Sequence, residues 1–168
     1  MTLNLAGGEM MPNSSKSKFT LFLQFSLLLA FVVVVALSGK YAMFPGEQIV
    51  GAVLLLAGAV VLFSAVSAYR KTMGTLRVKV APDPAEHGGL ITGGIYSKIR
   101  HPFYAATPLI LTGTALIMRR PWALAMIPPI VGFLHLKSSF EEKLLTAKFP
   151  GYVAYKAKTG RFLPKLKK

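Results

Sequence analysis

Two short stretches hold the residues with which this chain could do chemistry. The first is Gly94-x-Tyr96-x-x-x-Arg100-His101-Pro102-x-Tyr104, which sets two tyrosines, a guanidinium and an imidazole close together. The second is the pair Glu141-Glu142. The whole chain has six acidic residues, and these two are the only ones after Glu86. Carboxylates this scarce, placed side by side, imply that at least one of them holds something. Lys137 stands four residues before Glu141 and shares its helical face. Glu142 is turned by about 100° from Glu141 and lines up with His135 and with Ser138 or Ser139. The chain has no cysteine, which excludes thiol nucleophiles, thiolate metal sites and disulfides. No metal site is read from the remaining residues.

The elements that must position these groups are membrane helices. Of the 168 residues 53% are apolar, too many for a small soluble domain. Residues 19–37 and 48–68 carry no charge, and about twenty helical residues cross a ~30 Å hydrocarbon core. The first run is longer than the roughly 7–15 residues of a signal-peptide core, so it reads as a retained helix. Two shorter runs, 103–118 and 121–136, are split by Arg119-Arg120 and predict a second, thinner or partly re-entrant hairpin. The expected fold is thus an all-α integral membrane protein with about four transmembrane helices in two hairpins, plus a cytosolic C-terminal helical tail. Residues 1–18 read as a flexible arm, 19–70 as the first transmembrane hairpin turning at Pro45-Gly46, and 71–168 as the unit carrying the chemistry. Within that unit, the polar loop 71–92 is broken by Pro82, Pro84 and Gly88-Gly89. Residues 137–149 predict a helix continuing out of the last span until Pro150-Gly151 ends it.

Charge sets the expected orientation. The chain carries a net +14, and its cations gather near the N-terminus, in the central loop and after Leu136. The positive-inside rule puts the N-terminus, that loop and the C-terminus in the cytosol. The same cations suit anionic lipid headgroups. They form no stripe interleaved with stacking aromatics, which disfavours nucleic acid as a partner. Arg119-Arg120 falls on the opposite side and is expected to snorkel toward the far headgroups. An up-and-down hairpin returns the chain to its starting face, so His101 and Glu141, forty residues apart, can share one pocket at the membrane surface.

Each residue also has a plainer reading. Lys137 and Glu141 could be an ordinary helical pair, His101 an interfacial histidine, and Tyr96, Tyr104, Tyr152 and Tyr155 membrane-belt anchors. Anchoring, however, does not require this order or this spacing.

The run Gly94 to Tyr104, then Glu141-Glu142-Lys143-Leu144-Leu145, then Phe149, Tyr152, Tyr155 and Arg161-Phe162-Leu163-Pro164, resembles the isoprenylcysteine carboxyl methyltransferases and the related phospholipid methyltransferases. The resemblance covers about residues 88–164. It implies an integral membrane enzyme that takes S-adenosylmethionine at the cytosolic face, with 71–168 as the methyltransferase core. It also implies cofactor contacts at Gly88, Gly89, Leu90, Ile91, Tyr96, His101, Pro102, Phe103, Tyr104 and Glu141. Lys137 takes the position of a substrate-facing arginine, and Arg100 and Glu142 are expected to face substrate beside it. The implied acceptor is a membrane lipid or lipid-like molecule with a carboxyl, amine or thiol group. No catalytic acid or base is assigned.

The chain departs from the family pattern in four places. Lysine replaces arginine at 137, Gly88 stands where the family has histidine, Ala105-Ala106 replace a glycine, and 149–152 is one residue short. Lysine lacks the bidentate fork that suits a carboxylate, which weighs against a carboxyl acceptor. Two other readings stay open from sequence. One is a sterol-reductase-like oxidoreductase using a nicotinamide cofactor, whose relatives carry asparagine where this chain has Phe103. The other is a non-catalytic membrane adaptor.

Overall fold

The uncharged runs fold as long helices because nothing in them interrupts the hydrogen-bond ladder. In the computed structural model, which describes residues 14–73 and 90–165, the chain forms α1 (Ser14–Leu37), α2 (Glu47–Met73), α3 (Pro102–Ile117), α4 (Ile127–Lys148) and α5 (Tyr152–Lys158). Single 3-10 turns at Gly94–Ser97 and Pro121–Met126 precede α3 and α4. Among the described residues there is no strand, only an isolated parallel bridge between Ile99 and Gly160. The molecule is therefore an all-α membrane protein, as expected.

Three helical segments are long and apolar enough to span: Lys18–Leu37, Glu47–Thr72 and Pro121–Lys148. The expected fourth, α3, has 16 residues, about 24 Å at 1.5 Å per residue, and falls short of the hydrocarbon thickness. Pro102 fixes its start and Arg119, in a left-handed conformation (φ 55°), turns the chain just past its end. Phe22, Leu29, Leu56 and Phe63 stay exposed on α1 and α2, the pattern of helices that face lipid. The helix α1 begins at Ser14, inside the stretch expected to be a flexible arm. Likewise α2 runs on to Met73, past the expected hairpin boundary at 70. The rest of the central loop up to Gly89 lies outside the described residues.

The two hairpins interleave. The most extensive packing in the molecule is between α2 and α3, while α1 lies against the Pro121–Met126 turn and α4. Small residues make the first contact possible. A Cβ on Gly113 would lie 2.7 Å from both the Gly51 carbonyl oxygen and the Leu55 nitrogen, and one on Gly58 would lie 2.7 Å from the Ile110 side chain. Such close backbone approach replaces the hydrophobic drive that is missing between helices in lipid. The second contact buries Phe31 and Val35 of α1 with Ala115, Ala123, Ile130 and Leu134.

The loops at the end away from the candidate site are tied by polar contacts. Glu47, fully buried at the start of α2, accepts from the Met43 amide at 2.7 Å and lies 3.4 Å from Arg119 Nε. Gln48 donates to the Ile117 carbonyl at 3.1 Å. The half-exposed Arg119 guanidinium thus has an acidic neighbour at the start of α2.

Candidate functional site

Pro102 and Pro150-Gly151 bracket the site. Proline is favoured at the first helical position because no amide donor is needed there, so α3 begins at Pro102 with His101 as its N-cap residue. Leaving the other side, α4 continues unbroken from the Pro128-Pro129 turn to Lys148 and carries Glu141 and Glu142 on a rigid element. The 3-10 turn Gly94–Ser97 precedes His101. Gly94 there takes φ 59°, the left-handed region open to glycine, with its would-be Cβ 3.0 Å from Ala68.

The expected convergence of His101 and Glu141 is observed. His101 Nδ1 lies 3.5 Å from Glu141 Oε2, and the Tyr104 hydroxyl donates to Glu141 Oε1 at 2.6 Å. The imidazole stacks parallel to the Tyr104 ring with centroids 5.4 Å apart. Lys137, one turn before Glu141, sets its ammonium 5.4 Å from the centroid of the same ring. Lys137 is 4% exposed, and its ammonium donates to Gln24 Oε1 of α1 at 2.5 Å. A carboxylate, two aromatic rings and a buried cation therefore meet between α1, α3 and α4.

A second cluster adjoins through the neighbouring positions of the same segment. Ile91, Ile95, Tyr96 and Phe103 pack on Ala65 and Ala68 of α2. The Tyr96 carbonyl accepts from the Tyr155 hydroxyl at 2.6 Å. Burial raises the Tyr96 phenol well above its ordinary range, helped by the nearby Tyr155, so it stays a neutral hydroxyl at physiological pH. Leu90 is half-buried beside this cluster in sequence. Gly88 and Gly89 lie outside the described residues.

Glu142 points elsewhere. It is 1% exposed and forms the hub of a charge cluster. Its Oε1 accepts from Arg100 Nε at 2.9 Å and lies 3.3 Å from His101 Nε2. Its Oε2 meets Lys156 Nζ at 2.9 Å and Arg161 Nη2 at 3.2 Å. Arg161 also reaches Ser139 Oγ and His135 Nε2, the helical line expected to lie with Glu142. Arg100 Nη1 donates to the Thr159 and Lys156 carbonyls. Arg100 and Glu142, expected to face substrate, thus bind each other and the C-terminal segment. A buried carboxylate is tolerable here because three cations compensate it.

The backbone reinforces that attachment. Arg100 N donates to the Gly160 carbonyl at 2.9 Å, His101 N to the Arg161 carbonyl at 3.0 Å, and Gly160 N to the Lys98 carbonyl at 3.0 Å. Phe162 then stands edge-on to both His101 and His135. Sequence reasoning missed Gln24, Lys156 and Thr159. Gln24 had a signal, being the lone amide in an apolar span, where polar side chains usually contact another helix. The other two had none, since their partners lie far away along the chain.

A family model described as phospholipid methyltransferase matches residues 47–151, from the start of α2 to the residue before α5. No curated protein and no solved structure matches the chain.

Proposed function

The chain belongs to the phospholipid methyltransferase family, and we propose that it transfers a methyl group from S-adenosylmethionine to the headgroup amine of a membrane phospholipid, at the cytosolic membrane face. The observation that carries this reading is Glu141, held between Tyr104 and His101 on one side of a buried lysine. When bound, S-adenosylmethionine supplies an electrophilic methyl carbon: the acceptor's lone pair forms the new bond to it as the carbon–sulfur bond breaks, leaving S-adenosylhomocysteine.

The donor set fits such a molecule. A carboxylate has about four lone-pair positions, and Glu141 commits one oxygen to the Tyr104 hydroxyl while its side chain keeps 18% exposure. It can therefore still accept from an ammonium by a charge-assisted bond. An aromatic face such as that of Tyr96 suits a sulfonium or a flat base. Pro102, Phe103, Leu90 and Ile91 complete the apolar wall.

Lys137 works on the acceptor side. A lipid ammonium with a pKa of ~10 must shed its proton before it can attack. A desolvated pocket beside a fixed cation favours the neutral amine, because burial and like charge both disfavour the charged form. No side chain is assigned as a base in this proposal. Arg100 and Glu142 act by holding the C-terminal segment against His101.

The test is calorimetric binding of S-adenosylhomocysteine to the detergent-purified protein, with NADPH as comparison and Glu141→Gln as control, followed by label transfer to phosphatidylethanolamine. Binding of adenosylhomocysteine that is lost in the variant supports the reading. Binding of NADPH alone, or of neither, overturns it.

A further inference from the structure

The helix α5 turns Tyr152 and Tyr155 inward, with Thr159 buried just past its end. Its outer face is made of different residues. At about 100° per residue, Val153, Ala157 and Ala154 form the middle of that face, and Lys156 and Lys158 stand at its two edges. All five are exposed, Val153 to 62%. Just beyond, Leu163 is 77% exposed, and Lys165 brings a third ammonium to the helix by donating to the Ala157 carbonyl at 2.7 Å. A solvated charge run would set its lysines outermost. Here apolar side chains are outermost between lysines, which is the pattern of a helix lying in the headgroup region. There the lysine stems cover apolar surface and the ammoniums reach lipid phosphates.

Charge and position agree with that placement. From Lys143 onward the chain has seven lysines, one arginine and no acid. Glu142, the carboxylate that this segment folds over, is already met by Arg100, Lys156 and Arg161. The link 149–151 also keeps α5 within about 15 Å of the end of α4, itself a membrane helix.

We propose that the outer face of α5, with Leu163, docks on the anionic headgroup surface of the bilayer on the side of the candidate site, and that docking tightens the C-terminal segment on Arg100 and His101. One short segment carries both halves. Its outer face meets lipid, while Lys156, Gly160 and Arg161 hold Glu142, Arg100 and His101. Anionic lipid is then an activator and not a substrate: it contributes no group to the reaction and acts by ordering residues 152–163. The effect on methyl transfer rests on the proposed function; docking and tightening do not.

The chain contains no cysteine, so Ala154→Cys gives the full-length protein a single site for an environment-sensitive fluorophore. The labelled protein is placed in phosphatidylcholine nanodiscs with a fixed share of phosphatidylethanolamine, with or without about 30% phosphatidylglycerol. Quenching by acyl-brominated lipids reports the docked fraction, which is expected to rise about fivefold or more with the anionic lipid. Hydrogen exchange at the Arg100 and His101 amides, which donate to the Gly160 and Arg161 carbonyls, is expected to slow about threefold or more. Methyl-label transfer to phosphatidylethanolamine is expected to rise by a similar factor. The double variant Lys158→Gln, Leu163→Ser alters exposed residues alone. Its melting midpoint in detergent is expected to match the parent's, and all three responses to phosphatidylglycerol are expected to vanish.

Quenching that is equal in the two discs, or absent from both, overturns the docking and leaves the face to a protein partner or a second copy. Docking without slower exchange overturns the link to Arg100 and His101. Slower exchange with unchanged methyl transfer overturns the activating role. A parent protein that methylates nothing in either disc counts against the proposed function instead, and quenching and exchange then decide this proposal by themselves.

Discussion

Glu141 and Glu142 are neighbours in the chain and differ in everything they touch. Glu141 is held by Tyr104 and His101 and keeps part of its surface open, whereas Glu142 is closed in by Arg100, Lys156 and Arg161. The same conservative change should therefore have two different effects. Glu141→Gln is expected to cost about tenfold or more in adenosylhomocysteine affinity, the scale of one charge-assisted bond, with the melting midpoint nearly unchanged. Glu142→Gln leaves three cations around a neutral amide and is expected to destabilise by about 3 kcal/mol or more. Parallel calorimetry and thermal melts separate the two. Equal affinity losses at equal stability would mean that the two faces of α4 are wrongly divided. From sequence, the helical offset of 100° separated the two faces, and the alignment of Glu142 with His135 and Ser139 is what the structure contains. What occupies the Glu142 side was not legible, because Lys156 and Arg161 come from a segment that folds back onto it.

At the scale of elements, the seam between α2 and α3 decides how the site is held together. Both helices are apolar and would slide against lipid as readily as against each other, so close backbone contact at Gly51, Gly58 and Gly113 has to supply the specificity. Gly113→Leu is expected to force the pair apart and cost about 1–3 kcal/mol, visible as a lower melting midpoint together with weakened adenosylhomocysteine binding. Gly132, also in a helix, has nothing within 4 Å of a would-be Cβ. Gly132→Ala should be neutral or stabilise by about 0.5–1 kcal/mol, which makes it the control. If both changes behave alike, the seam is not what aligns the helices. The glycines stood in plain view in the sequence, but only the packing distinguishes Gly113 from Gly132.

Across the whole molecule, both ends of the described chain converge on the middle. From one end, α1 reaches Lys137; from the other, residues 155–162 clamp Arg100, His101 and Tyr96. Removing residues 159–168 takes away the Gly160 bridge, Arg161 and the Phe162 ring. The truncated protein is expected to bind adenosylhomocysteine far more weakly although the family-matched segment remains entire, and calorimetry checks this. Undiminished affinity would show that the clamp is dispensable. The Tyr155 hydroxyl that donates to the Tyr96 carbonyl also gives the clamp a pH limit. Burial pushes this phenol up to about 12, against the pull of Arg100. A group whose folded pKa lies above the unfolded value of about 10 contributes stability that is present below that value and is lost as pH rises through the folded one. Thermal melts should therefore show stability falling above about pH 10, and Tyr155→Phe should make that fall shallower while the raised phenols of Tyr96 and Tyr152 keep the rest of it.

The sequence by itself determined the helical membrane class, the hinge at Pro45-Gly46, the start of α3 at Pro102 and the continuation of α4 through Glu141-Glu142. These follow from local causes: charge-free length, proline geometry and helical period. It also brought His101 to Glu141, because a hairpin must return to the face it left. Only the tertiary structure decided how the helices pair, with α2 against α3 and α1 against the Pro121–Met126 turn and α4. It decided equally that Arg119 pairs with Glu47, that Glu142 anchors the C-terminal segment, and that Gln24 meets Lys137. Each of those contacts joins residues from 14 to 113 positions apart, beyond the reach of helical period or propensity, and only the packing of the hairpins and the fold-back of the C-terminal segment brings the partners together.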